Sequence, residues 1–269
     1  MTDEAEFRGA AHAPDARHRS RTKKVRRPVS VIGVLGELLI TAGAVVLLFL
    51  GWQLWWNDMM MANSQSQAST DISRHWIEKA TKDPAAVKPA PADYGDPVIA
   101  TAPAETEPFA VLYIPRFGAS YHRTIAEGIK TNVLNSPRTG IGHYPGTQMP
   151  GEVGNFAIAS HRSANGGGMH LINEFQLGDP IYVQTADGYF TYRFRDLQYV
   201  PPTAATVLAS VPGRPDLAPV DRIITLTSCN PLLSTAERIV AYGVFESWQP
   251  LSAGPPADLA PIIAAQAQG

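Results

Sequence analysis

The feature that most constrains this chain is a long apolar run near its N-terminus, "VSVIGVLGELLITAGAVVLLFL", which extends from Val29 to Leu50. A helix of about 20 apolar residues, at about 1.5 Å per residue, matches the roughly 30 Å apolar core of a bilayer. The run therefore predicts a transmembrane helix, and a folded water-soluble domain must come from the residues that follow it.

The flanks of the apolar run predict its orientation. The segment "RHRSRTKKVRRP" before the run is dense in Arg and Lys, and Trp52, Trp55 and Trp56 after it suit a membrane–water interface. We therefore predict a cytoplasmic basic tail at 1–28, a membrane anchor at 29–56 and an extracellular remainder. The alternative, a cleaved signal peptide, requires a small-residue cleavage site, which "GWQLWWNDMM" does not offer.

Composition divides the remainder of the chain into three parts. Residues 57–107 read as a possible short helix or stalk followed by a Pro- and Ala-rich linker, and 249–269 as a flexible C-terminal tail. The folded domain is predicted at 108–248. The net charge is −2, so no overall basic field favours nucleic acid as a partner.

The domain is predicted to be mostly β. Seven or eight short β-prone runs follow one another with little helix, and Asp187-Gly188 marks a hairpin between two of them. The Gly- and Pro-dense stretch "GIGHYPGTQMPGEVGN" is predicted to be loop. This pattern indicates a small β-barrel or a β-sandwich.

The chain has one cysteine, Cys229, at the end of the β-prone run "RIITLTS". In an exported protein a single thiol is either an intermolecular disulfide partner or a free reactive group. If the runs on either side of "NPLLSTAE" pair as a hairpin, Cys229 and Arg238 lie opposite each other on one face. A cation beside a thiol favours the thiolate. The alternative, a buried structural Cys229 and a solvated Arg238, remains open from these residues alone.

A cysteine nucleophile usually needs an acid–base partner, and His161 is the best placed candidate. It directly follows the short apolar strand "FAIAS" and begins a loop, where barrels commonly display functional groups. His122, His143 and His170 are the other histidines of the domain.

Three motifs together resemble the sortases, and more narrowly the class E sortases of high-GC Gram-positive bacteria. They are "GHYPGT", "ASHR", and "TLTSC" with an arginine nine residues after its cysteine. The resemblance implies a closed β-barrel of seven to eight strands with short helices, preceded by one transmembrane helix. It assigns the catalytic roles to His161, Cys229 and Arg238. Two positions depart from the family pattern: Ser228, where Thr is usual, and Ser160, where Gly is common.

The resemblance also implies an activity. A cysteine transpeptidase of this kind cleaves a Leu-Ala/Pro-x-Thr-Gly sorting signal between Thr and Gly and joins the Thr carbonyl to a peptidoglycan precursor amine. Its partners would be secreted proteins with a C-terminal sorting signal and the lipid bilayer. Tyr144, Thr203, Thr227 and Ser228 are the candidate substrate-binding residues. No metal or other cofactor is expected, because no His/Cys/Asp cluster has ligand spacing.

Two other functions stay open at this point. An L,D-transpeptidase is also an anchored cysteine acyl-transferase, but its motif requires Ser-x-Gly-Cys, whereas Cys229 follows Thr-Ser. The other possibility is a non-catalytic, membrane-anchored β-module that binds a surface partner.

Overall fold

The structure is a computed structural model that describes residues 30–81 and 94–266. The predicted cytoplasmic tail, the first part of the Pro- and Ala-rich linker and residues 267–269 lie outside the described residues. The chain divides into two compact units, 1–47 and 48–269.

The apolar run forms helix α1, Val31–Gly51, and none of its residues is buried. Among the described residues it is the one helix long and apolar enough to cross a membrane. A lone helix that is apolar all round has no protein core to bury it, so a single-pass membrane anchor fits its composition. Five residues in a wider, π-type helical turn, Trp52–Trp56, follow it in the chain.

Eight β-strands in the described part of the second unit form a closed barrel, as predicted. They are β1 (Pro108–Tyr113), β2 (His122–Glu127), β3 (Gly140–His143), β4 (Gly154–Ser160), β5 (Pro180–Gln184), β6 (Gly188–Val200), β7 (Arg222–Asn230) and β8 (Glu237–Pro250). Their order around the barrel is β1-β2-β3-β4-β7-β8-β6-β5, and β5 pairs with β1 to close it. Closure satisfies the edge hydrogen bonds that an open sheet leaves exposed.

The pairing combines short hairpins with two parallel contacts. β5 and β6 form the hairpin predicted at Asp187-Gly188, whereas β2 pairs with β3, and β4 with β7, in parallel. The predicted loop at "GIGH" is wrong, because these residues form β3. A Cβ at Gly142 would lie 2.1 Å from the Gly128 carbonyl oxygen, so glycine here permits close backbone approach rather than a turn.

Alternation along the strands divides the apolar residues into two layers. On β1, Ala110 and Leu112 face the main core inside the barrel, while Val111 and Tyr113 belong to a second cluster outside it. This second cluster is covered by two helices, α2 (Asn57–Thr81) and the C-terminal α4 (Ala260–Gln266). A four-residue helix, α3 (Thr131–Leu134), lies between β2 and β3.

The prediction of a stalk and a flexible tail is wrong for 57–81 and 251–266, because both segments pack on the barrel. Ile72, Trp76 and Ile77 of α2 pack on the outer cluster, and the tail residues Leu251 and Leu259 are buried in it. These segments are polar or Pro-rich as a whole, so their few apolar residues give little periodic signal, yet one narrow face is enough to dock a helix.

Candidate active site

Cys229 lies where β7 leaves the barrel. β7 is hydrogen-bonded to β4 on one side and β8 on the other, and its residues Ile224 to Ser228 are buried. Cys229 itself is half-buried and is a free thiol. The strand therefore places one polarizable side chain at the boundary between the core and the solvent.

Arg238 is directly opposite Cys229 in the β7–β8 hairpin, which confirms the predicted register. Its guanidinium is turned towards the hairpin loop, where Nη1 donates to the carbonyl oxygens of Thr235 (3.1 Å) and Glu237 (3.0 Å). The guanidinium is thus held at the hairpin loop by backbone acceptors rather than by a carboxylate.

His161 is brought to Cys229 by the parallel pairing of β4 and β7. The ladder ends with Ala159 beside Thr227. His161 follows the last residue of β4, and Cys229 lies two residues beyond Thr227 on β7. Both side chains line one open cavity of about 270 Å³, together with the loop residue Thr235. The candidate nucleophile and the candidate acid–base group therefore share a solvent-accessible space.

Asn135 is the hydrogen-bond partner of His161. The Asn135 Oδ1 lies 2.8 Å from His161 Nε2 and accepts from it, which fixes the orientation of the imidazole ring. Burial lowers the pKa of His161 below its ordinary value, whereas the negative charge of Asp58 raises it. Asn135 is a neutral partner, so it orients the ring without adding a charge that would keep it protonated.

The residue after His161, Arg162, ties the histidine loop to the end of β7. Arg162 is buried, and its guanidinium donates to Asn230 Oδ1 and to Asn173 Oδ1, the latter at 3.0 Å. Asn230 directly follows Cys229, so a buried arginine connects the residues after the histidine and after the thiol. Such a network restricts relative motion of the two catalytic candidates.

The two positions that depart from the family pattern contact each other. Ser228 Oγ donates to the Ser160 carbonyl oxygen at 2.8 Å, and Ser160 Oγ donates to the Gly140 carbonyl oxygen at 2.7 Å. These two bonds link β7 to β4 and β4 to the start of β3, immediately before Cys229 and His161.

The candidate substrate-binding residues lie in different environments. Tyr144 is partly exposed, and its hydroxyl is 2.9 Å from Thr227 Oγ1. Ser228 is buried with its hydroxyl engaged, and Thr203 is exposed on the loop between β6 and β7. None of the four lines the cavity that contains His161 and Cys229.

The other three histidines of the domain lie in different places. His143 is fully buried, and its Nδ1 lies 2.6 Å from Glu127 Oε2. His122 is buried, which lowers its pKa, and His170 is exposed with its Nδ1 3.0 Å from the Arg162 carbonyl oxygen. The described residues, 30–81 and 94–266, include no group of three or more His, Cys, Asp or Glu side chains placed to hold a metal ion.

The sequence does not predict that several residues lie close to His161. Asn135 lies in a turn-rich "NSP" stretch, and Asp58 and Gln65 lie on α2, in the segment predicted to be a stalk. Arg162 is part of "ASHR", so its presence was visible, but its buried contacts with asparagines from two other segments were not.

Comparison with known proteins gives a consistent result. The Sortase domain family matches residues 112–246. Sortase SrtE1 of Streptomyces coelicolor is 31% identical over 90% of this chain, and the match spans 65% of that protein's length. The crystal structure of sortase E1 from Streptomyces coelicolor with a tripeptide in the active site is 36% identical in sequence. It covers 60% of this chain and 99% of that one, with a TM-score of 0.52. The SrtA sortase from Actinomyces oris is 33% identical, covers 61% of this chain and 94% of that one, and has a TM-score of 0.57.

Proposed function

This chain belongs to the sortase family and is class E-like, and we propose that it is a membrane-anchored cysteine transpeptidase. The observation that carries the proposal is the strand register, which brings His161, Cys229 and Arg238 to the same end of the barrel from β4, β7 and β8. The proposed substrate is a Leu-Ala/Pro-x-Thr-Gly signal at the C-terminus of a secreted protein.

The first half of the reaction forms a thioester. The Cys229 thiolate attacks the carbonyl carbon of the signal threonine, and the negative charge moves to the carbonyl oxygen. When the tetrahedral intermediate collapses, the Thr–Gly C–N bond breaks and protonated His161 gives its proton to the leaving glycine amine. With Nε2 oriented by Asn135, Nδ1 is the ring nitrogen that remains to exchange this proton.

The second half returns the enzyme to its starting state. An amine of a peptidoglycan precursor attacks the thioester carbonyl, an amide bond forms and the Cys229 thiolate leaves. The proton lost by the amine passes to neutral His161. The Cys229 thiolate and protonated His161 are thereby regenerated, so the same pair serves the next substrate.

Arg238 is proposed to stabilise the oxyanion of the tetrahedral intermediate. Its present acceptors are the carbonyl oxygens of Thr235 and Glu237, which are weaker partners than a full negative charge. Because Arg238 is opposite Cys229 in the hairpin, we propose that a change of side-chain rotamer brings the guanidinium from the loop to the oxyanion.

Among the proposed substrate-binding residues, the contacts favour Tyr144 and Thr227. Tyr144 is partly exposed, and its hydroxyl contacts Thr227, two residues before the thiol. Ser228 would have to break its bond with Ser160 to reach a substrate, so a role in holding β7 against β4 suits it better. Thr203 is proposed only as a contact from the loop between β6 and β7, since it is exposed there.

We place the enzyme in the cell membrane with a cytoplasmic N-terminus and an extracellular barrel. Helix α1 supports a single-pass anchor, and the basic residues before it support the orientation. Protease added to intact protoplasts should digest the barrel and spare an epitope tag at the N-terminus. Loss of the tag with retention of the barrel would reverse the orientation.

The decisive test of the proposed function is detection of the thioester. The full-length chain in detergent is mixed with a Leu-Ala-x-Thr-Gly peptide, and intact-mass spectrometry should show an adduct on Cys229 that an added amine removes as a transpeptidation product. A folded chain that forms no adduct with Ala- or Pro-containing signals would favour the non-catalytic binding module. The L,D-transpeptidase alternative is set aside, because the chain belongs to the sortase family.

A further inference from the structure

Two backbone segments around His161 are both held by one side chain of helix α2. Gln65 is completely buried, and its Nε2 donates to the carbonyl oxygens of Ser136 (3.0 Å) and Asn165 (2.9 Å). Ser136 follows Asn135, which bonds the His161 ring, and Asn165 belongs to the loop that begins at His161. A single amide therefore joins the backbone of the histidine loop to the backbone of the segment that orients the histidine ring.

The Gln65 side chain packs against two glycines, whose lack of a Cβ makes room for it. Gly140 and Gly166 have φ angles of +84° and +89°, and a Cβ at either would lie 2.5 Å or 2.4 Å from atoms of the Gln65 side chain. With a Cβ at either position, the Gln65 side chain would have to shift. The Gln65 side chain is thus fixed by close packing as well as by its two hydrogen bonds.

Asp58 makes a second contact from the same helix. Its Oδ1 accepts from the backbone N–H of Gly166 at 2.7 Å, next to the carbonyl that Gln65 binds. Asp58 and Gln65 are two helical turns apart and so lie on one face of α2. The carboxylate also acts on His161 through space, since its charge raises the pKa of that histidine.

We propose that helix α2 is a positioning element of the active site, in which Gln65 and Asp58 hold the His161 loop and Asn135 in the arrangement that proton transfer requires. The inference rests on the proposed function, because it takes His161 as the group that transfers the proton. A displacement of about 1 Å in such a group can reduce the rate by as much as about 100-fold. The stalk-like segment next to the membrane anchor in sequence is therefore part of the catalytic apparatus.

The chain offers a matched control on the same helix. Ser73 of α2 is buried like Gln65, but its hydroxyl donates to Gln184 Oε1 (2.8 Å) on β5, away from the histidine loop. Gln65→Met keeps a similar length and volume and removes both donors, whereas Ser73→Ala removes a buried bond between α2 and the barrel that does not involve the loop. Asp58→Asn keeps an acceptor oxygen without the charge, and Asp58→Ala removes both.

The first measurement is peptide cleavage by the full-length chain in detergent. We expect Gln65→Met to lower kcat about 10- to 100-fold with KM within about twofold of wild type, and Ser73→Ala to stay within about twofold in both. Equal kcat values for folded Gln65→Met and Ser73→Ala would overturn the inference. If Gln65→Met does not fold, the variants of the partly exposed Asp58 test the inference instead. Asp58→Ala should lower kcat about tenfold, and Asp58→Asn should recover most of that loss. A wild-type kcat for Asp58→Ala would overturn the inference.

The second measurement does not need activity. The charged and titratable groups near His161 are Asp58 from α2, Arg162 from its own loop, Cys229 from β7 and Arg238 from β8. The ring of His161 is followed by NMR of the full-length chain labelled at histidine Cε1, and its resonance is assigned by the loss of one signal in a substituted chain.

In this experiment Gln65→Met should shift or broaden the assigned resonance and change its titration, whereas Ser73→Ala should leave both as in wild type. If the wild-type chain forms no thioester and cleaves no signal peptide, the proposed function fails. The NMR result alone then tests whether Gln65 positions His161. An unchanged His161 resonance in folded Gln65→Met would then overturn the inference, and a changed one would support it.

Discussion

Two histidines at the ends of neighbouring strands, His143 of β3 and His161 after β4, occupy opposite kinds of environment. His143 is 0% exposed, with Glu127 Oε2 2.6 Å from one ring nitrogen and Thr147 Oγ1 2.9 Å from the other. His161 has a neutral asparagine as its partner and opens into a cavity shared with a thiol. His143 therefore has both ring nitrogens occupied by partners within the fold, whereas the His161 ring is accessible from the cavity that contains the thiol.

The largest expected effect is on the open site. His161→Ala removes the proposed proton donor for the leaving amine, and general acid–base steps contribute about 10²–10⁴-fold, so kcat/KM for a Leu-Ala-x-Thr-Gly peptide should fall by that factor. Thermal unfolding should change little, because the ring is partly exposed. His75→Ala, at an exposed position of α2, is the control and should match wild type. Retention of activity in folded His161→Ala would move the catalytic role to another group.

The closed site should respond in stability instead. Glu127→Ala leaves the buried His143 N–H without its acceptor, and an unsatisfied buried donor costs about 1–3 kcal/mol, so the free energy of unfolding should fall by about that amount. Urea denaturation measures this change, and kcat is measured below the unfolding transition. A tenfold loss of kcat with unchanged stability would show that Glu127 and His143 take part in catalysis, and the distinction between His143 and His161 would fail.

A smaller effect is expected from the neutral partner of the open site. Asn135→Ala removes the hydrogen bond that orients His161, and a net value of about 0.5–1.5 kcal/mol for such a bond predicts a loss of about 2- to 10-fold in kcat. Asn135→Asp keeps an acceptor but adds a charge, which should raise the pKa of His161. Stopped-flow cleavage across pH 5–9 distinguishes the two variants. Identical pH profiles for both would show that Asn135 does not act on the ring.

The smallest effect concerns the pH dependence of stability. Burial lowers the pKa of His161 in the folded chain, so below about pH 6.5 the unfolded chain binds a proton there more readily than the folded one. The folded state is therefore favoured above that pH and loses stability as pH falls towards the lowered folded-state pKa. His161→Gln should make the free energy of unfolding less steep between pH 7 and 5. A steeper dependence in the variant would contradict the stated direction.

The strands and the β7–β8 hairpin were predictable because their signals are local, whereas the choice of a closed barrel over a sandwich came from the family resemblance. A β-prone run that ends at Cys229, a turn and a second run that begins at Arg238 fix the register by symmetry about the turn, and the structure has that register. The position of His161 was predictable for the same reason, since a short apolar strand ends just before it.

The contacts that hold His161 were not predictable from the sequence because they are polar and non-local. Gln65 is 71 and 100 positions from the two residues it binds, and a buried glutamine on a polar helix leaves no periodic pattern. The strand β3 was missed for a related reason: its glycines signal a turn by composition but serve a close approach between backbones in the fold.

The parallel pairing of β4 with β7 has a consequence for how activity arises during folding. Ser160 and Ser228 are hydrogen-bonded although 68 positions separate them, and the chain between contains the whole β5–β6 hairpin. A parallel pair cannot be joined by a tight turn. Contacts between residues far apart in sequence form slowly, because the entropy cost of closing the loop comes before the contacts stabilise the chain. The Cys229 thiol of an incompletely folded chain therefore lacks His161, its proposed acid–base partner, and we expect acyl transfer only from the topologically complete barrel.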